Sequence, residues 1–376
     1  MSRYPALRVA LAGILLLTGA VRAAPAPERE GTVAPRAQTQ PSLQDAANDV
    51  AVWIDPAAPG RSLVLGAGGT AGLEVFGLDG AAVQRMEGIQ AEFVDVRYGV
   101  PLGDSTADLV MVADVPLALV HFYTVDRATR TLRAAGGSPV EVKAEMTGLC
   151  SYRSPVTGRL YLFTSTDDGE VLQWDVGTGV GGVTAREVRR LPFGRGVGAC
   201  VADDATQSLF VGVETSGLWR IRAEPESDAS PHQLDGLAPF GTLDEETKGL
   251  ALYRADGTAY LVAADVGAKR LRVYDLEGAR LARFAVGGST PIEEAEAFTA
   301  VAGSLPGYDG GLFVVADESN GDAYANYKLV AWHDLAGALG LHQRTTAPDT
   351  GGTRPTAVTV QPGAETEPVA TYGDAA

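Results

Sequence analysis

The stretch Thr147-Gly148-Leu149-Cys150-Ser151-Tyr152 opens a unit that recurs along the chain. It leads through a turn containing Pro and Gly into a second apolar run, Leu160-Tyr161-Leu162-Phe163. A third run follows, Val171-Leu172-Gln173-Trp174, in which apolar and polar residues alternate. Alternation between turn signals is typical of half-buried strands. Matching openings lie at residues 49–53, 95–98, 198–201, 248–253 and 297–301.

These six units predict the fold class. Their spacing of about 50 residues, with three or four short strands each, is that of a propeller blade. A β-sandwich would not explain six matching units. Helical periodicity is suggested only near residues 334–341. The sequence therefore predicts an all-β protein, a six-bladed β-propeller.

Charge and the first residues limit the partners. The chain carries 47 acidic and 30 basic side chains, a net charge of −17, which argues against nucleic acid and suits a protein that gathers divalent cations. Arg3 and Arg8 precede an apolar run and small residues, which predicts a signal peptide over residues 1–23. The run is too short for a membrane anchor, so we expect a secreted or periplasmic protein with no membrane partner.

Two cysteines, Cys150 and Cys200, occupy similar places in neighbouring units. In an oxidising compartment they could pair as a disulfide. They could equally be two buried small hydrophobic residues. The sequence leaves both alternatives open.

The segment Asp45-Ala46-Ala47-Asn48-Asp49-Val50-Ala51-Val52-Trp53 resembles the opening signature of the β-propeller phytases. The resemblance continues in order through residues 72–76, 94–99 and 200–204 and ends at 326–332. It implies a propeller over residues 45–344 after a lead-in at 24–44. It also implies hydrolysis of phosphate monoesters of myo-inositol hexakisphosphate (phytate), of the 3-phytase type, with calcium.

Carried over residue by residue, the resemblance implies a depleted site. The implied calcium ligands are Asp49, Asn48, Asp95, Glu214, Glu246 and Asp317. Departures from the family pattern are Asn48 for an Asp, Gly198 and Lys248 for Glu, and Gly69, Pro116, Thr147 and Asp167 at phosphate-contacting positions. Lys248, which could hold one phosphate, and Arg97, a compensating cation, are the candidate catalytic residues. An ammonium cannot ligate calcium, so we expect calcium binding to persist but weaken.

The end of the chain suggests a reason for this depletion. Residues 345–362 resemble a linker, and residues 365–376 resemble the stretch that precedes the first blade. Glu365 and Glu367 stand there where the first copy has Gln38 and Gln40. We interpret 345–376 as a linker and the start of a possible second propeller, a downstream partner, although a chance acidic tail is the alternative.

Two hypotheses about function follow. The first is an exported phosphomonoesterase that hydrolyses phytate with calcium, weakly in this propeller alone. The second is a non-catalytic, phosphate- and calcium-binding accessory propeller of a tandem phytase. Other chemistries lack support, because no Gly-x-Ser-x-Gly occurs and the four histidines show no metal-binding spacing.

Overall fold

A computed structural model describes residues 28–44, 46–179, 181–194, 196–288, 292–321 and 323–342. The predicted signal peptide, linker and second-propeller start lie outside these residues. No helix within the described part of the chain is long and apolar enough to cross a membrane.

The described residues form six sheets arranged as the predicted six-bladed propeller, so that prediction is confirmed. The chain begins with β1 (Arg29–Val33) and β2 (Ala37–Gln38). Blade 1 contains β3 (Asp49–Trp53), β4 (Leu63–Ala67), β5 (Leu73–Gly77) and β6 (Ala82–Met86). Blade 2 contains β7 (Ala91–Leu102), β8 (Ser105–Asp114), β9 (Leu119–Asp126), β10 (Thr131–Ala134) and β11 (Val140–Glu141).

Blades 3 and 4 have four strands each. Blade 3 contains β12 (Met146–Arg153), β13 (Leu160–Thr166), β14 (Glu170–Gly179) and β15 (Gly182–Pro192). Blade 4 contains β16 (Val197–Asp203), β17 (Ser208–Val213), β18 (Gly217–Arg222) and β19 (His232–Asp235).

Blades 5 and 6 take strands from both ends of the chain. Blade 5 contains β20 (Leu250–Ala255), β21 (Thr258–Asp265), β22 (Arg270–Tyr274) and β23 (Arg280–Val286), with β1 parallel to β23 as a fifth strand. Blade 6 contains β24 (Phe298–Ala302), β25 (Gly311–Asp317) and β26 (Asn326–Ala331), and β2 pairs antiparallel with β26. The helix α1 (Trp332–Leu339) follows β26. Segment 24–44, expected to be only a lead-in, thus contributes two strands to the propeller.

The first strand of each blade lines the central channel and contacts the first strands of both neighbouring blades. All six run in the same direction. Their first residues therefore share one end of the channel, which we call the mouth. The turns between first and second strands lie at the opposite end, which we call the far end.

The hydrophobic core lies between the blades rather than in the channel. One cluster joins Trp53 and Leu65 of blade 1 to Val110 and Val112 of blade 2, all fully buried. Strand alternation explains this, because every second side chain faces the next blade. Burying such side chains stabilises the packed ring by about 25 cal/mol per Å² of apolar area.

A disulfide joins Cys150 of β12 to Cys200 of β16. Both cysteines are nearly inaccessible, at 5% and 8% exposure. They stand on the first strands of neighbouring blades, so the structure decides the question that the sequence left open. The bond fixes blade 3 to blade 4 directly beneath the mouth.

Ion pairs attach the N-terminal strand to blade 5. Arg272 of β22 holds Glu28 at 3.2 Å and the buried carboxylate of Asp265 at 2.6 Å. Glu30 of β1 pairs with Arg283 of β23 at 2.8 Å. At the far end, Trp332 of α1 stacks on a tyrosine of blade 5 with ring centres 3.6 Å apart.

Candidate functional site

The channel mouth is a small polar depression. Residues from five blades line it together with Phe93 of blade 2: Asn48, Asp49, Gly148, Leu149, Gly198, Ala199, Cys200, Lys248, Gly249, Leu250, Glu296, Ala297 and Phe298. Its volume is about 50 Å³, far below the roughly 300–1,000 Å³ of pockets that enclose a small molecule. A ligand as large as an inositol polyphosphate would have to lie across this mouth.

Asp49 starts β3 at the mouth, and main-chain donors occupy both of its carboxylate oxygens. Val50 N–H donates to one oxygen at 2.8 Å, and Val94 N–H of blade 2 donates to the other at 2.9 Å. Burial nonetheless raises the pKa of Asp49 to about 7, because desolvation of the charged form outweighs these two bonds. Asp49 therefore links two blades and titrates near neutrality.

Asn48 and Glu92 form the next contact around the mouth. The Asn48 side-chain amide donates to the Glu92 carboxylate. Burial raises the pKa of Glu92, although this bond opposes the rise. Gly69 lies against the same pair, because a Cβ there would be 3.2 Å from Asn48 Nδ2. No cationic side chain takes part in this contact.

Lys248 carries the positive charge of the mouth. Its Nζ lies 2.8 Å from Glu246 Oε1 and 3.7 Å from Glu296 Oε2. The pKa of Lys248 is raised, first by the bond to Glu246 and then by the charges of Glu296 and Glu214. Its side chain is 36% exposed. Lys248 thus neutralises carboxylates around it and remains open to solvent.

Arg97 and Asp95 lie deeper in the channel, on β7. Arg97 Nη1 pairs with Asp204 at 2.7 Å, and its Nε donates to Ser151 Oγ at 2.7 Å. Ser151 Oγ in turn donates to Asp95, whose pKa is raised by burial against the opposing charge of Arg97. These contacts join blades 2, 3 and 4. The guanidinium is therefore engaged by partners within the propeller.

Asp317 ends β25, also toward the mouth end, but within blade 6. Lys328 Nζ lies 3.0 Å from its Oδ2 and also donates to Gln38 Oε1 at 2.7 Å and Asn320 Oδ1 at 2.9 Å. All three donors of this ammonium are satisfied by oxygen atoms. The ammonium of Lys328 thus fills the space among these oxygens where a metal ion would have to bind.

The residues of the mouth do not fit a ready-made calcium cluster. The described residues contain no group of three or more His, Cys, Asp or Glu side chains placed to hold a metal ion. Glu246 and Asp317 are paired with lysines, and Asp95 lies beside Arg97. A calcium ion would need to displace Lys248 from its carboxylates before binding there, so we derive no chemical step through calcium.

The four departures at phosphate-contacting positions leave the mouth without further cations. Gly69 is buried, Pro116 and Asp167 are exposed, and Thr147 donates to the Val197 carbonyl at 2.5 Å. None of these side chains is cationic, and Asp167 is negative, so none can neutralise a phosphate.

Sequence reasoning missed Glu92, Glu296 and Lys328. Glu92 and Glu296 come at the starts of blades 2 and 6, as Asn48 and Asp49 do in blade 1. Aligning the six openings on their first residues would have found both. Lys328 carried no such signal, because its partner Gln38 lies 290 residues away.

Comparison with known proteins identifies the family of this chain. The sequence model of the Phytase family matches residues 6–350. The 3-phytase of Bacillus subtilis (strain 168) is 28% identical over 332 residues, which cover 83% of this chain and 87% of that relative. An auxiliary nutrient binding protein of Bacteroides thetaiotaomicron covers 76% of this chain and 70% of its own, at 11% identity and a TM-score of 0.49, too distant to support an inference. The match over most of its length shows that this chain belongs to the Phytase family.

Proposed function

We propose that this chain is a phytase-like phosphomonoesterase that acts on phytate with calcium, and that it turns over slowly when it acts alone. The proposal includes export by cleavage of the N-terminal 23 residues, which N-terminal sequencing of the extracellular protein would test. The family and the 3-phytase relative support a phosphate ester as the substrate.

The observation that carries the slow turnover is the charge balance of the mouth. Lys248 is the sole Lys or Arg among the described residues that line it, and it is shared between Glu246 and Glu296. Phosphoryl transfer depends on positioning and on neutralising the charge of the phosphate oxygens. One ammonium shared between two carboxylates contributes little to positioning the phosphate or to neutralising its charge.

The residues of the chain can still perform part of the chemistry. The Lys248 ammonium is partly exposed, so it can turn from Glu246 to a phosphate oxygen lying across the mouth. Asp49, with a pKa of about 7, can accept a proton near neutral pH. Calcium would be a weakly held partner of the carboxylates that Lys248 releases, with affinity of about 10⁻⁴–10⁻³ M.

A second function is favoured by the same scarcity of cations. The propeller could bind phosphate esters or calcium without hydrolysing them and serve a neighbouring catalytic domain. The two candidates differ in one measurable respect, which is release of phosphate by the purified chain.

Phosphate release from phytate should be measured with and without millimolar calcium for the wild type, Lys248→Gln and Lys269→Gln. Lys269 is a matched control, because it also pairs with a glutamate, Glu293, at 2.8 Å near the mouth end. We expect slow, calcium-dependent release that falls about tenfold or more in Lys248→Gln and is unchanged in Lys269→Gln. Phytate binding without release would favour the accessory function, and neither binding nor release would refute both.

A further inference from the structure

A second cavity opens at the far end of the propeller, where turns of blades 6, 1 and 2 meet. It has a volume of about 470 Å³ and is lined by Arg36, Leu78, Asp79, Arg130, Pro306 and Tyr308, with two glycines. That volume falls in the range of about 300–1,000 Å³ typical of small-molecule pockets. We call it the far-end cleft. Every residue that lines it lies in a far-end turn or just before β2, and none belongs to the mouth.

The apolar part of the far-end cleft is held in place. Tyr308 is 5% exposed and donates through its hydroxyl to the Leu78 carbonyl at 3.1 Å. Leu78 is packed with it in the core cluster between blades 6 and 1. Pro306 adds a ring of fixed shape. The apolar lining is therefore already ordered, and a ligand that binds there loses little free energy to immobilising it.

Arg36 already uses all three of its guanidinium nitrogens on its neighbours. Its Nε and Nη2 contact the two oxygens of Asp334 at 2.6 and 2.8 Å, and Nη1 donates to the Gly307 carbonyl at 2.6 Å. This bidentate pair neutralises Arg36 and fixes its plane. Arg36 is thus a rigid wall of the cleft rather than a free cation.

Arg130 is different. Only its Nε is engaged, by the Arg61 carbonyl at 3.1 Å, and among the described residues neither terminal nitrogen makes a hydrogen bond or an ion pair. Its Nη2 lies close to the backbone of Gly77. A Cβ built on Gly77 would be 3.1 Å from this nitrogen and 2.6 Å from Asp79 Oδ1. Four N–H donors therefore remain on a positioned guanidinium, with one carboxylate, Asp79, beside it.

We propose that the far-end cleft binds a small organic oxyanion, a phosphate monoester or a carboxylate with an apolar body. The free fork of Arg130 matches two oxygens of such a group, and the surface of Leu78, Pro306 and Tyr308 takes the apolar body. Asp79 opposes the anion and limits its affinity. This site is separate from the mouth and does not depend on the proposed hydrolysis.

The test is a calorimetric titration of the full chain with phenylphosphonate, which has no hydrolysable ester. Benzoate and inorganic phosphate serve as the two comparison probes. Arg130→Gln should weaken phenylphosphonate binding about tenfold, the loss expected for a charged hydrogen bond. The affinity of Arg130→Lys should lie between those of the wild type and Arg130→Gln, since lysine keeps the charge but lacks the two-pronged guanidinium.

Asp79→Asn should change the affinity for phenylphosphonate in the opposite direction, because it removes the negative charge beside the anion. The amide oxygen of the variant can still accept the Ala81 N–H. We expect binding to tighten severalfold, which a merely damaged cleft could not do. Lys269→Gln, near the mouth end, should leave the affinity unchanged. Inorganic phosphate should bind more weakly than phenylphosphonate, and benzoate binding would extend the class to carboxylates. Equal binding of inorganic phosphate and phenylphosphonate, no effect of Arg130→Gln, or loss of binding in Lys269→Gln would each overturn the proposal.

Discussion

Removing the disulfide between Cys150 and Cys200 tests whether the two blades beneath the mouth depend on a covalent link. The double substitution Cys150→Ala/Cys200→Ala leaves two small apolar side chains on β12 and β16. Both positions are buried, so neither introduces an exposed group. The change therefore isolates the cross-link itself.

The magnitude follows from the 50 residues that separate the two cysteines. Closing a loop of that length in the unfolded chain removes entropy equivalent to about 4 kcal/mol at room temperature. Distributed over roughly 300 residues, this loss lowers Tm by about 6 °C, because each residue contributes about 2.1 cal/mol/K to the unfolding entropy.

The assay is urea and thermal unfolding of oxidised wild type, reduced wild type and the double variant. We expect the reduced wild type and the variant to agree within about 1 kcal/mol and both to fall about 4 kcal/mol below the oxidised protein. Reductant should not affect the variant. A loss smaller than about 1 kcal/mol would refute the loop-entropy reasoning and show that interblade packing alone holds blades 3 and 4.

Three further predictions concern the mouth and channel. Lys248→Glu should enlarge the stabilisation by millimolar calcium in a thermal shift assay, because it replaces the competing ammonium with a ligand; an unchanged shift would place calcium elsewhere. The pKa of Asp49 is higher in the folded chain, about 7, than its ordinary 3.8, so its protonation stabilises the fold at low pH and that contribution is lost as the pH rises through 7. The free energy of unfolding of Asp49→Asn relative to wild type should therefore rise by about 2–4 kcal/mol between pH 3 and pH 8 by urea unfolding, against a pH-independent loss of one of the two main-chain hydrogen bonds. Arg97→Met should lower the free energy of unfolding by about 3 kcal/mol, since it leaves Asp204 unpaired; a loss of activity with unchanged stability would instead support a direct catalytic role.

The blade pattern could be predicted because it is local in sequence. The opening at residues 147–152 falls within β12, and the opening at 49–53 coincides with β3. Each blade pairs strands that are neighbours in the chain, so alternation and turns are enough to define it. The helical signal near 334–341 likewise corresponds to α1, Trp332–Leu339.

The remaining features depend on partners that are distant in sequence. The strand β1 has the sequence Arg29-Glu30-Gly31-Thr32-Val33, which shows no clear alternation, and its partner β23 begins at Arg280. The pairing of Arg97 with Asp204 joins blade 2 to blade 4. Such contacts follow from the closure of the ring, which residue spacing alone does not reveal. Among the implied calcium ligands, Asp317 pairs with Lys328 of the neighbouring strand, but the second partner of Lys328, Gln38, is brought to it by this closure.

The closure of the ring by the N-terminal strands also sets an order for folding during synthesis. Gln38 of β2 cannot pair until Lys328 of β26, 290 residues later, has been synthesised. At about 5–20 residues per second the ribosome needs roughly 15–60 s to supply that partner. Blades 1 to 4 have all their strands within consecutive sequence and can form as they emerge. Blades 5 and 6 can acquire β1 and β2 only after their own strands have been made, so the last step of folding is the capture of the first strands synthesised.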